Sequence, residues 1–117
     1  MERRVLVCGG RDYSDEARVF SELDAEHANA PITLLIHGGA TGADTLAGKW
    51  AAARKIAVRP FPANWFKHGQ SAGPIRNRDM LTQGKPHMVI AFPGGRGTAD
   101  MINAARAASV PVVKVRP

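Results

Sequence analysis

The stretch from Val89 to Met101 constrains this chain more than any other. A short apolar run, Val89-Ile90-Ala91-Phe92, leads into Pro93-Gly94-Gly95-Arg96-Gly97-Thr98. Ala99, Met101, Ile102, Ala105 and Ala108 then recur at helical spacing. That order reads as strand, tight loop and helix N-terminus. Glycines let a backbone come close to a ligand, and the first amides of a helix lack internal partners at the positive end of its dipole. With Arg96 in the loop, the segment is an expected seat for phosphate or another anion.

Two further segments share the design. Thr33-Leu34-Leu35-Ile36 runs into His37-Gly38-Gly39-Ala40-Thr41-Gly42-Ala43-Asp44, after which Leu46, Ala47, Trp50 and Ala51 keep helical spacing. Val5-Leu6-Val7-Cys8 runs into Gly9-Gly10-Arg11-Asp12. One glycine pair is an ordinary turn; three in the same strand-to-helix context point to a shared site. The expected phosphate-binding residues are Gly9, Gly10 and Arg11, then Gly38, Gly39, Ala40, Thr41 and Gly42, then Gly94, Gly95, Arg96, Gly97 and Thr98. No loop ends in Gly-Lys-Ser/Thr, so none is an NTPase P-loop. None is a clean G-x-G-x-x-G with an acid about twenty residues on, which argues against an ordinary dehydrogenase.

Along the chain, residues 3–8 read as a buried strand. Ser14 and Asp15 can cap a first helix whose inward face is Ala17, Val19, Phe20 and Leu23. A second strand runs from about Ile32 to Ile36 and a second helix from about Gly42 to Arg54. A third strand is expected near Ile56 to Pro60, followed by a long loop from Pro62 to Gly73. A third helix covers Pro74 to Thr82, with proline suited to its first position. Strand His87–Phe92, helix Thr98–Ala108 and strand Pro111–Val115 complete the pattern. Such alternation predicts an α/β fold, a single doubly wound Rossmann-like domain over residues 1–117. Its five-stranded, mainly parallel sheet carries helices on both faces. Ligands of such sheets bind outside the carboxyl ends of the strands, where all three glycine loops fall.

Outside the loops, Gly73-Pro74-Ile75-Arg76-Asn77-Arg78 opens a helix with two arginines two positions apart. Residues so spaced point about 200° apart, so one faces the crevice and the other braces the fold or reaches a partner chain. Arg76, with Asn77 beside it, is the expected inward group. Asp44 and Asp100 lie near helix N-termini, where each is either a charge favoured by the dipole or a ribose ligand or general acid–base. Trp65, in a polar loop between prolines, is a candidate for stacking on a base, with loop packing as the alternative. The four histidines show no metal-ligand spacing, so neither a metal nor a cofactor is expected. Cys8 ends an apolar strand and reads as a small core residue; a lone cysteine forms no internal disulfide and fits a reducing compartment.

The formal charge is +6, and eleven of the sixteen basic residues are arginine. That balance suits anionic partners, and Arg11, Arg76, Arg78 and Arg96 stand in or beside the glycine loops. No consecutive basic block and few aromatics are present, so polynucleotide binding is the weakest reading. No apolar run approaches membrane-spanning length, no signal peptide opens the chain, and a cytoplasmic location is expected. A thin sheet leaves helix faces incompletely covered, from which a homo-oligomer, a dimer or higher, is expected.

These motifs, together with Phe61-Pro62-Ala63-Asn64-Trp65, resemble the SLOG superfamily, the Rossmann-like group that includes Lonely Guy phosphoribohydrolases and DprA-type proteins. The closest likeness is to its YspA-like, cpYpsA-related branch. The resemblance implies a nucleotide or nucleotide-derived ligand with phosphate held by the glycine loops. In Lonely Guy enzymes a P-G-G-x-G-T-x-x-E motif supplies a catalytic glutamate, and an arginine precedes a methionine by four positions. Arg76 and Met80 match the latter; the glutamate position holds Met101, with Asp100 one residue earlier. The leading expectation is therefore binding of a nucleotide-derived small molecule, in sensing or processing. The alternative is an N-glycosidic hydrolase using Arg76 with Asp100 or Asp44.

Overall fold

The computed structural model describes all 117 residues. In chain order the strands are β1 (Arg4–Cys8), β2 (Leu34–His37), β3 (Ala57–Pro60), β4 (Met88–Ala91) and β5 (Val112–Lys114). The helices are α1 (Glu16–Asn29), α2 (Ala43–Ala53), α3 (Trp65–His68), α4 (Ala72–Thr82) and α5 (Arg96–Ala107), with a single 3₁₀ turn, Gly69–Ser71, between α3 and α4. All pairings are parallel, and the strand order is β3-β2-β1-β4-β5. This is the doubly wound Rossmann-like α/β sheet.

Alternation along β1 splits the core in two. Val5 and Val7 pack with Leu35, Ile90 and Phe92 beneath Val19 and Leu23 of α1 and Ala43, Ala47, Trp50 and Ala51 of α2. Leu6 and Cys8 pack on the other face with Ile36, Val89 and Ala91, beneath Met80 of α4 and Met101, Ile102 and Ala105 of α5. Side chains on a strand point to opposite faces in turn, so a strand covered on both sides must be apolar throughout. Val5, Leu6 and Val7 are fully buried. Helices α1 and α2 thus cover one face, and α4 and α5 the other. The winding reverses between β1 and β4.

Four details differ from the sequence pattern. Ala17 is exposed, and the inward stripe of α1 is Val19 and Leu23, one turn apart, with the expected Phe20 partly buried against the same core. Asp15 alone caps that helix, accepting from the Arg18 amide at 3.0 Å. The expected loop from Pro62 to Gly73 contains α3 and the 3₁₀ turn, so Pro74 is the third residue of α4, where its missing N–H still has no intrahelical acceptor to lose. Helix α5 begins two residues earlier than Thr98, at Arg96.

Candidate functional site

In an all-parallel sheet every carboxyl end lies at one edge. Because β1 sits between β2 and β4, the three glycine loops become neighbours there. Their backbones touch. The Gly10 amide donates to the Pro93 carbonyl at 2.9 Å, and the Ala43 amide donates to the Gly10 carbonyl at 3.1 Å. Gly42 has φ of +77°, and a Cβ there would overlap the carbonyl oxygens of Gly10 and Arg11. Glycine is required at that position by conformation and by the close approach of the neighbouring loop.

The loops do not offer equal anion sites. Asp44 Oδ2 accepts from the amides of Gly38 at 3.0 Å and Ala40 at 3.2 Å, while the Gly39 amide donates to His37 Nδ1 at 2.9 Å. Those three amides are taken within the loop, by Asp44 and His37, whereas the Thr41 and Gly42 amides have no partner in the protein. Asp44 is only 6% exposed. Burial raises its pKa to about 6, against the opposing pull of the Ala40 amide, Arg76, the Gly38 amide and Arg11. Burial likewise lowers the pKa of His37, with Arg76 adding to the effect.

The N-terminus of α5 is different. Its first ladder bond runs from the Ala99 amide to the Gly95 carbonyl at 3.0 Å, so the amides of Arg96, Gly97 and Thr98 precede any intrahelical partner. No side chain caps Gly95. Gly97 is the second residue of this helix, and a Cβ there would meet nothing within 4 Å. Neither packing nor a positive φ asks for glycine at that point. What its bare backbone leaves is room.

That room belongs to a cavity of about 530 Å³, bounded by Gly10, Arg11, Trp65, Gln70, Gly73, Pro74, Arg76, Gly95, Arg96, Gly97, Thr98 and Asp100. The volume is that of an ordinary small-molecule site. Its charge is set by which arginines are already paired. Arg3, Arg4, Arg18, Arg54 and Arg78 each hold a carboxylate within salt-bridge distance. Arg11, Arg76 and Arg96 hold none, and all three line the cavity. Arg76 Nη1 donates to the Gly38 carbonyl and Nε to Asn77 Oδ1 at 3.0 Å, which leaves Nη2 without a hydrogen-bond partner in the protein. Burial lowers the Arg76 pKa from its ordinary value, partly offset by nearby Asp44, and the group remains a cation.

Asn77 ties this arginine to α5. It is buried, accepts from Arg76, and donates through Nδ2 to the Gly97 carbonyl at 3.3 Å and to Asp100 Oδ2 at 2.9 Å. Asp100 is further held by Arg78, whose Nη1 and Nη2 reach its two oxygens at 2.8 and 3.2 Å. Arg78 and then Asn77 keep its carboxyl below the usual range, against partial desolvation. Of the two arginines on α4, Arg76 therefore faces the cavity and Arg78 braces α4 against α5.

The carboxylates are accordingly occupied. Asp100 lies in the cavity wall but is neutralised by Arg78, and Asp44 is sealed beneath the second loop. Met101, at the position of the Lonely Guy glutamate, is fully buried against Leu6, Cys8 and Ile102. Burial of such a side chain contributes about 1.5–3 kcal/mol, a structural use of the position. Cys8 is buried too, and desolvation lifts its thiol to about 12. No group of three or more histidine, cysteine, aspartate or glutamate side chains comes together to hold a metal ion.

Trp65 is 47% exposed and stands at the cavity mouth, with the Arg11 guanidinium 5.0 Å from its ring centroid. It is not consumed by loop packing. Pro74, from the segment that opens α4, and Gln70, which no motif marks, also reach the wall. They arrive there because the 3₁₀ turn and the start of α4 fold over the α5 terminus.

Comparison with known proteins agrees with this architecture. The sequence pattern of the YspA, cpYpsA-related SLOG family, YAcAr, matches residues 3–68, which carry the first two glycine loops and Trp65. A protein of Mycobacterium phage D29, named Gene 61 protein, is 38% identical over 119 residues, covering 95% of this chain and 94% of that protein. With more than half its length matched by the family pattern, and with strands and glycine loops in this order, the chain belongs to the YspA, cpYpsA-related SLOG family.

Proposed function

We propose that this protein binds a nucleotide-derived small molecule, with phosphate seated on the N-terminus of α5 and gripped by Arg76 and Arg96. One observation carries the reading: the three arginines without a carboxylate partner that line the cavity converge where helix amides are open. Bidentate guanidinium groups and unpaired amides both match phosphate oxygens. Trp65 at the mouth offers a face on which a base can stack. Membership of the SLOG family supports a nucleotide-related ligand. Binding is favoured over catalysis because neither carboxylate is free to act on an anomeric carbon.

Calorimetric titration with adenosine and guanosine mono- and diphosphates tests the proposal. Micromolar binding to at least one is expected. Arg96→Ala, which removes an exposed side chain with no protein partner, is expected to lower the affinity at least tenfold. Uniform failure of these nucleotides to bind would overturn it.

A hydrolytic reading keeps one observation in its favour, the place of Asp100 in the cavity wall. In that reading Asp100 stabilises an oxocarbenium-like state while Arg76 holds phosphate. Chromatographic release of free base from nucleoside monophosphates, abolished in Asp100→Asn, would establish it. An equal rate in the variant would exclude this carboxylate.

A further inference from the structure

The sheet ends in two edge strands, β3 and β5, and their free sides differ. Alternate residues of a parallel strand turn their amides and carbonyls to alternate sides. On β3 the Phe61 amide donates to the His37 carbonyl, so Ala57 and Arg59 bond toward β2 while Val58 and Pro60 face outward. Proline at an outward position removes a donor, a common guard against strand addition. β5 has no such guard. The Pro111 carbonyl and the Val115 amide bond to β4, so Val112 and Lys114 turn both amide and carbonyl to the open side. No turn, loop or side chain supplies a partner for them.

Charge marks the same edge. From Met101 to Pro117 the chain carries three basic residues, Arg106, Lys114 and Arg116, and no acidic one. Lys114 and Arg116 are exposed, and neither holds a carboxylate within salt-bridge distance. Val113, on the other face of the strand from Lys114, is 42% exposed. Beside the carboxyl end of β5 lies a separate cavity of about 310 Å³. Phe92 and Pro93 after β4, Ala99 and Ile102 of α5, and Val115 make its apolar wall, and Lys114 is its single charged residue. Gly95 and Thr98 stand between it and the cavity described above, and none of Arg11, Trp65, Arg76 or Arg96 reaches it.

An occupant of this edge has to complete the ladder at Val112 and Lys114, bring negative charge to Lys114 and Arg116, and fill the cavity with an apolar group. A second copy of β5 brings the same cations, and like charges across a strand pair oppose it. Nucleic acid supplies negative charge but no peptide groups for the ladder. We propose that β5 receives an extended acidic segment of a partner protein as a sixth strand, with one of its apolar side chains seated in the neighbouring cavity. Main-chain bonds then supply affinity, and the cavity and the two cations select the sequence.

Fluorescence polarisation on the full chain tests this with a labelled peptide in which glutamate alternates with valine around a central phenylalanine. Micromolar binding is expected, at least about tenfold tighter than for the same peptide with lysine replacing glutamate or with proline interrupting it. Lys114→Glu is expected to reverse the preference for glutamate over lysine. Val112→Pro removes one outward amide without touching the ladder to β4. It is expected to weaken the acidic peptide at least about tenfold, with the far-UV melt showing that the variant folds. Arg96→Ala is expected to leave the affinity for the peptide unchanged; a loss there places the peptide in the other cavity and overturns the proposal. The proposal also falls if the acidic peptide does not bind, if its lysine counterpart binds equally well, or if oligothymidylate competes for the edge. A dimer of the chain alone, seen by sedimentation and dissolved by Val112→Pro, would assign the edge to a second copy instead.

Discussion

At Gly97 a methyl group would enter open space on the second residue of a helix. Alanine is favoured over glycine in helices by about 0.5–1 kcal/mol, so Gly97→Ala is expected to raise the midpoint of urea denaturation. The same methyl intrudes where phosphate is proposed to sit, and nucleotide affinity is expected to fall in the same variant. Equal or improved binding would show that the open backbone serves no ligand. Gly38 and Gly42 make a second contrast. A methyl at Gly38 falls on the Arg76 guanidinium, the movable end of a long side chain, so Gly38→Ala should fold normally and bind poorly. At Gly42 it falls on backbone carbonyls at positive φ, so Gly42→Ala should lose more than about 1 kcal/mol, read from the thermal midpoint.

The loop between β2 and α2 is an element organised around one buried charge. Asp44 has its pKa raised by burial to about 6, so the folded state holds this proton more tightly than the unfolded chain does. Stability from this group is full below the ordinary carboxylate value near 4 and declines as pH rises to about 6, a difference of about 3 kcal/mol. Asp44→Asn keeps an oxygen for the Gly38 and Ala40 amides and removes the charge. Melting curves between pH 4 and 7 are expected to lose that decline in the variant; parallel curves for both proteins would contradict it. Asp44→Ala leaves two amides without an acceptor and should cost about 1–3 kcal/mol. Much at this scale was legible in the residues. Apolar runs and helical spacing marked every strand and four of the helices, because both are periodic over several residues. The four-residue helix α3 has no room for a period. The duty of Asp44 was hidden for another reason: a helix-terminal carboxylate looks the same whether it meets solvent, a ligand or its own loop. The pairing of Arg78 with Asp100 joins residues on different helices, and no local pattern encodes such a partner.

Across the whole molecule, some arginines hold elements together, and three without a carboxylate partner meet at one rim. Arg54 with Asp24, and Arg3 with Glu26, tie segments on the far side of the sheet from α4 and α5. The reversal of winding between β1 and β4 then gathers Arg11, Arg76 and Arg96 from three distant segments into a single mouth. The glycine loops announced that convergence in sequence. They did not disclose that three amides of one of them are already taken within the loop.

Gly10 donates its amide to one neighbouring bend and offers its carbonyl to the other. It works as a common pin, and no bend at this rim can swing away without loosening it. The protected amides of Gly10 and Ala43 should therefore take up deuterium at one shared rate, and nucleotide should slow the pair together. Independent rates would mean that the mouth breathes in separate pieces.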